Sequence, residues 1–426
     1  MIKLSSCSKL ALIIYLFLLI SCEKKIAQHA APGHTEPKAL FIVMDGISAD
    51  VLESVETPNI DRIIEEGSYS RAWLGGEFGG YSESPTVSAV GYNHVLAGVW
   101  SNKHNVYNND IEAPNYNYWN IFRLFKNNNP EKKVAIYSSW LDNRTKLVGD
   151  ELSEAGGFSV DIHYDGFDTD TLSFPHEPGY VQKIDDHVST LAAQSIRNDA
   201  PYLSWVYLWY TDDTGHNYGD SEEYFESIRV ADEQVGRVWE AVEYREENFN
   251  EDWLVVITTD HGRRLPDGRG HGGHSERERT TWIVTNLVDV NSYFEETKPA
   301  AVDIYPTISR HLELEIPQSL QWELDGVPFK GEVSISDPEV SYNPSTQTID
   351  VKWVTWDEAG DVEIWLAMTN EFKMGTDDEY QFITKVPVLA GEATISTENY
   401  SSDFYKIVLD APHNSLNRWI VETDIP

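Results

Sequence analysis

WLVVITTDHGRRLPDGRGHGGH, Trp253 to His274, decides the fold class. It opens on the apolar run Trp253-Leu254-Val255-Val256-Ile257, rich in β-branched residues. Such a run reads as a strand buried on both faces, the kind found inside α/β sheets. The run ends in Thr258, Thr259, Asp260 and His261. In open α/β sheets, ligands sit beyond the carboxyl ends of the strands. A carboxylate and an imidazole delivered side by side there can face one ion. Gly262 lets the chain turn away, and a glycine-rich loop then brings back His271 and His274. A solvated turn with scattered histidines is the bland alternative, and other strand ends weigh against it.

Ala39-Leu40-Phe41-Ile42-Val43-Met44 is a second apolar run, ending in Asp45-Gly46. Tyr202 to Trp209 is a third, followed by Thr211-Asp212-Asp213-Thr214-Gly215-His216. Asp212 and His216 are four apart, so one helical turn places both on the same side. Val134 to Tyr137 reads as a further strand. A helix is expected to begin at Thr57-Pro58, with Thr57 as N-cap, Pro58 in the first turn and Gly67 past the end. Ile60, Ile63 and Ile64 would pack on the sheet. Glu222 to Glu246 reads as an amphipathic helix with Ile228, Val235, Val238 and Val242 inward, and Val302 to Leu312 as a last helix. Ser84 to Gly98 is helical in character, with hydroxyl residues at its entry. A hydroxyl at a helix N-terminus sits in the positive end of the dipole, which favours an alkoxide and an incoming anion, although capping explains it equally. Residues 149–178 are irregular and are expected to line a substrate cleft.

After residue 333 the texture changes. Ile349, Val351 and Trp353 alternate with polar residues, as do Val362, Ile364 and Leu366. This predicts an antiparallel β-sandwich of immunoglobulin or fibronectin type over 333–426, behind a catalytic region over 37–332. The N-terminus reads as a targeting segment. Leu10 to Ile20 is an apolar core too short for a confident span, and Leu19-Ile20-Ser21-Cys22 resembles a bacterial lipobox. Residues 1–21 are thus expected to be a lipoprotein signal peptide, Cys22 the lipid-bearing residue and 22–36 a tether, on a bacterial cell envelope. The 426 residues carry only two cysteines and a formal net charge of -38. With Cys7 lost in the signal, no internal disulfide is expected. The lack of basic surplus disfavours a nucleic-acid duplex as partner.

Asp45, Asp212 and Asp260 at three strand ends, with histidines close by, suit two divalent ions. Oxygen and nitrogen donors without cysteine fit zinc first, then manganese or iron. Two ions about 4 Å apart are a recognised device for phosphoryl transfer.

Here the chain resembles the alkaline phosphatase superfamily and, within it, the type I phosphodiesterase/nucleotide pyrophosphatase branch. Val43-Met44-Asp45-Gly46, Thr57-Pro58-Asn59-Ile60-Asp61, Ser88 ten residues before Gly98, Asp212-x-x-Gly215-His216, Thr259-Asp260-His261-Gly262 and Gly270-His271-Gly272-Gly273 carry the likeness. The resemblance implies an α/β fold with an alkaline-phosphatase-like central, largely parallel sheet and helices on both faces. It implies that Asp212, His216 and His271 hold one ion, with His274 as the alternative. Asp45, Asp260, His261 and Ser88 would hold the second, with Ser88 as nucleophile and Thr86 as runner-up. His104 falls on a structural position. The implied activity is hydrolysis of a phosphodiester or pyrophosphate in a small molecule or phosphorylated glycan, through a serine phospho-enzyme. One departure stands out. Relatives carry a phosphoryl-binding Asn three residues after the nucleophile, where this chain has Gly91; Asn93 is the candidate replacement. Phosphomonoesterase or sulfatase activity is the rival within the superfamily, but Ser88 to Tyr92 lacks the Pro and Arg of a sulfatase signature. A non-enzymatic glycan-binding lipoprotein, motivated by the sandwich and 14 tryptophans, has no need of seven ligand-type residues at strand ends.

Overall fold

The apolar runs become the strands of one seven-stranded sheet. In chain order they are β1 (Glu36–Met44), β2 (Ser68–Trp73), β3 (Val134–Ser138), β4 (Ile162–Tyr164), β5 (Leu203–Leu208), β6 (Glu251–Thr258) and β7 (Thr280–Thr285). Across the sheet the order is β2-β7-β6-β1-β5-β3-β4. The computed structural model describes residues 35–421. The signal expectation, Cys22 and the tether as far as residue 34 therefore lie outside the described residues, and Glu36, expected at the end of the tether, begins β1. Among the described residues no helix is long and apolar enough to cross a membrane.

β1, β3, β4 and β5 pair in parallel. β7 departs from the parallel expectation and runs antiparallel to both β6 and β2. The reason is its connection. No long crossover helix separates β6 from β7; the loop through His271 simply brings the chain back beside the strand it left, as antiparallel pairing permits and parallel pairing does not. β2, β4 and β7 were not read as strands from the sequence. β2 and β4 are short and half-polar, and β7 mixes threonine with apolar residues.

Helices α1 (Pro58–Glu66), α2 (Ser88–Ala97), α3 (Ile121–Asn128), α4 (Tyr180–Asp199), α5 (Tyr210–Tyr218), α6 (Glu222–Asn248) and α7 (Ile304–His311) cover the sheet. Successive strand residues point to opposite faces, so β1 serves two cores. Phe41 and Val43 join Trp205, Val256, Phe122 of α3 and Val95 of α2. Leu40, Ile42 and Met44 join Val206, Ile257, and Ile228, Val235 and Val238 of α6. The sheet is buried on both sides, as its apolar runs require. At α1 the Thr57 hydroxyl does not cap the helix. The Asp232 carboxylate of α6 accepts the Asn59 and Ile60 backbone N–H groups instead, at 3.1 and 2.8 Å. A tertiary contact thus replaces the local cap.

The C-terminal strands β8 (Ile335–Asn343), β9 (Thr348–Thr355), β10 (Asp361–Ala367), β11 (Gln381–Pro387), β12 (Glu392–Ser396), β13 (Tyr405–Asp410) and β14 (Ser415–Ile420) form two antiparallel sheets, β12-β9-β8 and β11-β10-β13-β14. Ile349, Val351 and Trp353 of one sheet face Ile364, Leu366, Ile407 and Leu409 of the other across one core. This β-sandwich joins the α/β body through buried charge. Lys103, fully buried, donates to Glu323 O and Asp325 Oδ1, each at 2.6 Å, and to Asn417 Oδ1 at 2.9 Å. Lys406, equally buried, bonds the Glu323 carboxylate and Asp378 Oδ2.

Candidate active site

The site lies beyond the carboxyl ends of β1, β5 and β6. Asp45 follows β1 directly and is 1% exposed. Its Oδ2 accepts from the hydroxyls of Tyr92 on α2 and Tyr207 on β5, the latter at 2.7 Å. Asp260 and His261 follow β6 and are just as buried. Asp260 Oδ1 accepts Gly46 N–H at 3.0 Å, and Thr259 Oγ1 accepts Ile47 N–H at 3.0 Å, so the ends of β1 and β6 are stitched together. Asp212 and His216 share one side of α5, with His216 Nε2 3.4 Å from Asp212 Oδ2. Ser88, the first residue of α2, places Oγ 3.4 Å from His261 Nε2.

Of the two open histidines, His271 joins the cluster. Its Nε2 lies 3.0 Å from His216 Nε2 and 3.8 Å from Asp212 Oδ1, and its ring stacks on His261 with centroids 3.7 Å apart. His274 turns away to pair with Glu83 at 3.2 Å. Of the two hydroxyls, Ser88 lines the cleft. Thr86 is sealed; its Oγ1 donates to Gly273 O at 2.8 Å and accepts Gly272 N–H at 2.9 Å. It fastens the loop carrying His271 and caps nothing: the N-cap of α2 is Val87.

The geometry is that of a cation site. His216, His261 and His271 each place Nδ1 on a backbone carbonyl, those of Arg269, Gly262 and Thr86, at 2.9, 3.0 and 2.9 Å. Carbonyls only accept, so Nδ1 carries a proton, and in each neutral ring Nε2 keeps its lone pair; the hydrogen bond with Asp212 raises the pKa of His216. The three Nε2 atoms then converge with carboxylate oxygens. Two groups result: Asp212 with His261 and His271, and Asp45 with Asp260 and His261. Asp45 Oδ1 and Asp260 Oδ2 are sealed from solvent without a hydrogen-bond donor, although buried acceptors normally find one. Facing lone pairs and undonated carboxylate oxygens are what divalent cations satisfy. The residues present fit such cations in two groups that share His261; His216, expected with Asp212 and His271, stands beside these two and not within either group.

The electrostatics agree. Burial, then the Asp212 charge, pushes the Asp45 carboxyl up to about 7 despite the tyrosine hydrogen bonds. Burial and then Asp45 push Asp260 well above the usual carboxylate range. Burial and then His271 hold His261 well below the usual imidazole range. Burial would raise Asp212 as well, but the His216 hydrogen bond and the Arg263 charge outweigh it and hold that carboxyl low.

Two features escaped the sequence reading. Tyr92 was legible, one helical turn after Ser88 and so on the same side of α2. Arg263 was not. It is fully buried, its Nη1 donates to Asp212 Oδ1 at 2.6 Å, and Nη2 donates to Arg269 O at 3.1 Å. Its position two residues after His261 gives no sign of that burial. His104 is buried, with Nδ1 accepting Val106 N–H at 3.1 Å, away from the cluster.

Beside Ser88, Asp45 and Asp212 opens a cavity of about 430 Å³. Trp140, Tyr180 and Trp209 line it with Asn109, Asp168, His176 and Asp213; among the described residues, no lysine or arginine does. Asp168 and His176 come from the irregular 149–178 segment, which therefore does border the cleft.

The profile of the type I phosphodiesterase/nucleotide pyrophosphatase family matches residues 39–264. Ectonucleotide pyrophosphatase/phosphodiesterase family member 7 of Mus musculus is 21% identical over 245 residues, covering 54% of this chain and 51% of that one. Bis(5'-adenosyl)-triphosphatase enpp4 of Xenopus laevis is 22% identical over 232 residues, covering 53% and 47%. The chain thus spans about half the length of the curated relatives it matches. Among solved structures, BT1596, a 2-O GAG sulfatase, superposes with a TM-score of 0.50 at 13% identity, covering 85% of this chain and 86% of that one. Such a likeness shows a shared fold, the alkaline-phosphatase-like sheet, and not a shared substrate. Since the family profile covers more than half of its residues, the chain belongs to the type I phosphodiesterase/nucleotide pyrophosphatase family.

Proposed function

We propose that this protein is a metal-dependent hydrolase of phosphodiester or pyrophosphate bonds, working through Ser88. The observation that carries the reading is the convergence of three Nδ1-anchored histidines on three buried aspartates beside a serine that lines the cleft. Asp212, His216 and His271 would hold one divalent ion; Asp45, Asp260, His261 and Ser88 would hold the second, zinc fitting the donor set best. The pair would neutralise phosphoryl oxygens and lower the pKa of the serine hydroxyl and of a water. Ser88 Oγ attacks phosphorus, the bond to the leaving alcohol breaks, and the serine proton leaves with that alcohol. Water then attacks the phosphoserine, releasing the monoester and restoring Ser88. Tyr92 and Tyr207 hold the Asp45 carboxylate in place, and Arg263 holds that of Asp212.

Cleft chemistry narrows the substrate. Trp140, Tyr180 and Trp209 offer ring faces for a sugar or other apolar-faced group, as in a phosphorylated glycan or a small ester. Asp168 and Asp213, without basic residues, disfavour a second strongly anionic group. The test is turnover of bis-p-nitrophenyl phosphate, p-nitrophenyl phosphate and p-nitrophenyl sulfate by the zinc-loaded protein. Diester turnover above the other two is expected; preference for monoester or sulfate would replace the reading with its superfamily rivals. Lipid attachment at Cys22 to a bacterial envelope membrane is proposed from the lipobox alone. A Cys22→Ser protein that still partitions with membranes at unchanged mature mass would refute it.

A further inference from the structure

One fully buried carboxyl beside the site takes no part in the proposed chemistry. It belongs to Asp185, in the second turn of α4. Burial pushes it up to about 7, against the hydrogen bonds from Ser139 and the backbone that favour its charge. A buried acid costs stability that an apolar residue of similar size would not, which points to a role outside folding.

The partners of that carboxyl show the role. Its Oδ1 accepts from the Ser139 hydroxyl at 2.5 Å, and its Oδ2 accepts Tyr210 N–H at 2.7 Å. Tyr210 is the first residue of α5, the helix that carries Asp212 and His216, and the N-cap residue Trp209 supplies no side-chain cap. The cap comes from α4 instead. Ser139 follows β3, and its N–H bonds the carbonyl of Tyr207, whose hydroxyl holds Asp45. One carboxyl thus joins α4, the end of β3 and the start of α5. α4 grips the same spot again through its first residue. The Tyr180 ring meets the Trp209 ring edge to face, with centroids 6.3 Å apart, and both rings line the cleft. On its other side the first turn of α5 is tied to β1, where the Thr211 hydroxyl donates to Asp45 O at 2.5 Å. Asp212 follows Tyr210 by two residues and His216 comes one turn later, so a rotation of α5 about its start moves both together.

We propose that Asp185 is a positioning residue for the metal site: by holding Tyr210 N–H it fixes the rotation of α5 that aims Asp212 and His216 at their ion. The proposal rests on the metal and phosphoryl chemistry read for that site. Trp209 and Asp212 flank Tyr210, so the same bond sets a wall of the cleft and a ligand of the ion.

The test compares Asp185→Asn with Asp185→Ala. Asparagine is the conservative variant: its Oδ1 accepts Tyr210 N–H, and its NH₂ donates to Ser139 Oγ, which turns to accept. Alanine leaves Tyr210 N–H without a partner. Asp185→Ala should bind one of two zinc ions about 10–100-fold more weakly in a chelator-competition titration, the usual size for a lost outer-shell partner. The other ion should keep its affinity. At saturating zinc, KM for bis-p-nitrophenyl phosphate should rise more than kcat falls, since Trp209 moves with Tyr210. Asp185→Asn should bring zinc affinity and KM back to within threefold of wild type. A merely structural carboxyl would move only the melting temperature. Asp185→Ala within threefold of wild type in both zinc affinities and KM would overturn the proposal, and so would an Asp185→Asn as impaired as Asp185→Ala. Should Asp185→Ala not fold, Ser139→Ala frees one side of the carboxyl and should weaken the same ion more than threefold; wild-type affinity there would overturn it equally. Zinc affinity that depends on Asp185 in a wild type with no diester turnover would uphold the positioning role and sink the hydrolase reading instead.

Discussion

Gly91→Ala tests the architecture of the site with one methyl group. The glycine is helical, and its N–H bonds Val87 O at 2.9 Å, so alanine would ordinarily stabilise the helix by about 1 kcal/mol. Here the new Cβ meets the backbone of Asp260 at 2.3 Å, against 3.4 Å for ordinary contact, so α2 and the end of β6 must part by roughly 1 Å. Neither side yields cheaply, since Asp260 Oδ1 holds Gly46 N–H and Tyr92, the next residue of α2, holds Asp45. Overpacking of this kind costs about 1–3 kcal/mol. After the propensity gain, a net loss of about 1–2 kcal/mol is expected at the upper end of that range. The functional loss should be larger. Ser88 rides on α2 while Asp260 and His261 ride on β6, so the shift divides one proposed ion site, and a misplacement of about 1 Å costs about 10²-fold in rate. The measurements are urea unfolding, zinc affinity against a chelating dye, and diester kcat/KM. Wild-type zinc affinity and turnover in Gly91→Ala, at any stability, would show that the close approach does not set the site.

Ser88→Ala should keep fold and zinc and lose turnover by several orders of magnitude; loss of a protease triad member costs about 10⁶. Thr86→Ala should leave Gly272 N–H and Gly273 O without their partner, cost about 1–3 kcal/mol, and raise the zinc needed for half-maximal activity by loosening the His271 loop. A dead Thr86→Ala beside an active Ser88→Ala would exchange their roles. Asp260→Asn should retain fewer than the two expected zinc ions by elemental analysis and lose the zinc-dependent rise in stability, about 2.7 kcal/mol at a hundredfold excess over Kd; unchanged metal content would count against the ligand set. Acid sensitivity follows from His94 and His104, whose buried rings lie 5.1 Å apart. Burial, aided by His104, holds His94 well below its usual range, and burial holds His104 at about 3. Only the unfolded chain takes up these protons as pH falls through about 6.5, so stability drops from there downward, by about 2–3 kcal/mol for His104 between pH 6.5 and 4.5. Both His94 nitrogens lack partners, so His94→Phe forfeits no hydrogen bond and should flatten the acid limb of the melting profile; superimposable limbs would refute the buried neutral pair.

What the sequence disclosed and what it withheld divide along physical lines. Hydrophobic runs ending in Asp45, Asp212 and Asp260 were legible because a doubly covered strand needs continuous apolar residues, and the chain order of strand and acid is local. The Asp212/His216 pairing was legible because four residues make one helical turn. His271 over His274, and Ser88 over Thr86, could not be settled from composition. Both choices depend on where a glycine-rich loop returns, and that is set by Thr86 gripping Gly272 and Gly273 nearly two hundred residues away. Arg263 was invisible for a stronger reason. A buried guanidinium is costly unless it is paired and hydrogen-bonded, and nothing in Arg263-Arg264 tells which of two adjacent arginines will be sealed and which left in solvent. Gly215 answers it, since a Cβ there would stand 2.6 Å from the Arg263 guanidinium carbon. The Asp212-x-x-Gly215-His216 motif thus encodes two metal-ligand candidates and, in its glycine, the space for the arginine that steadies one of them.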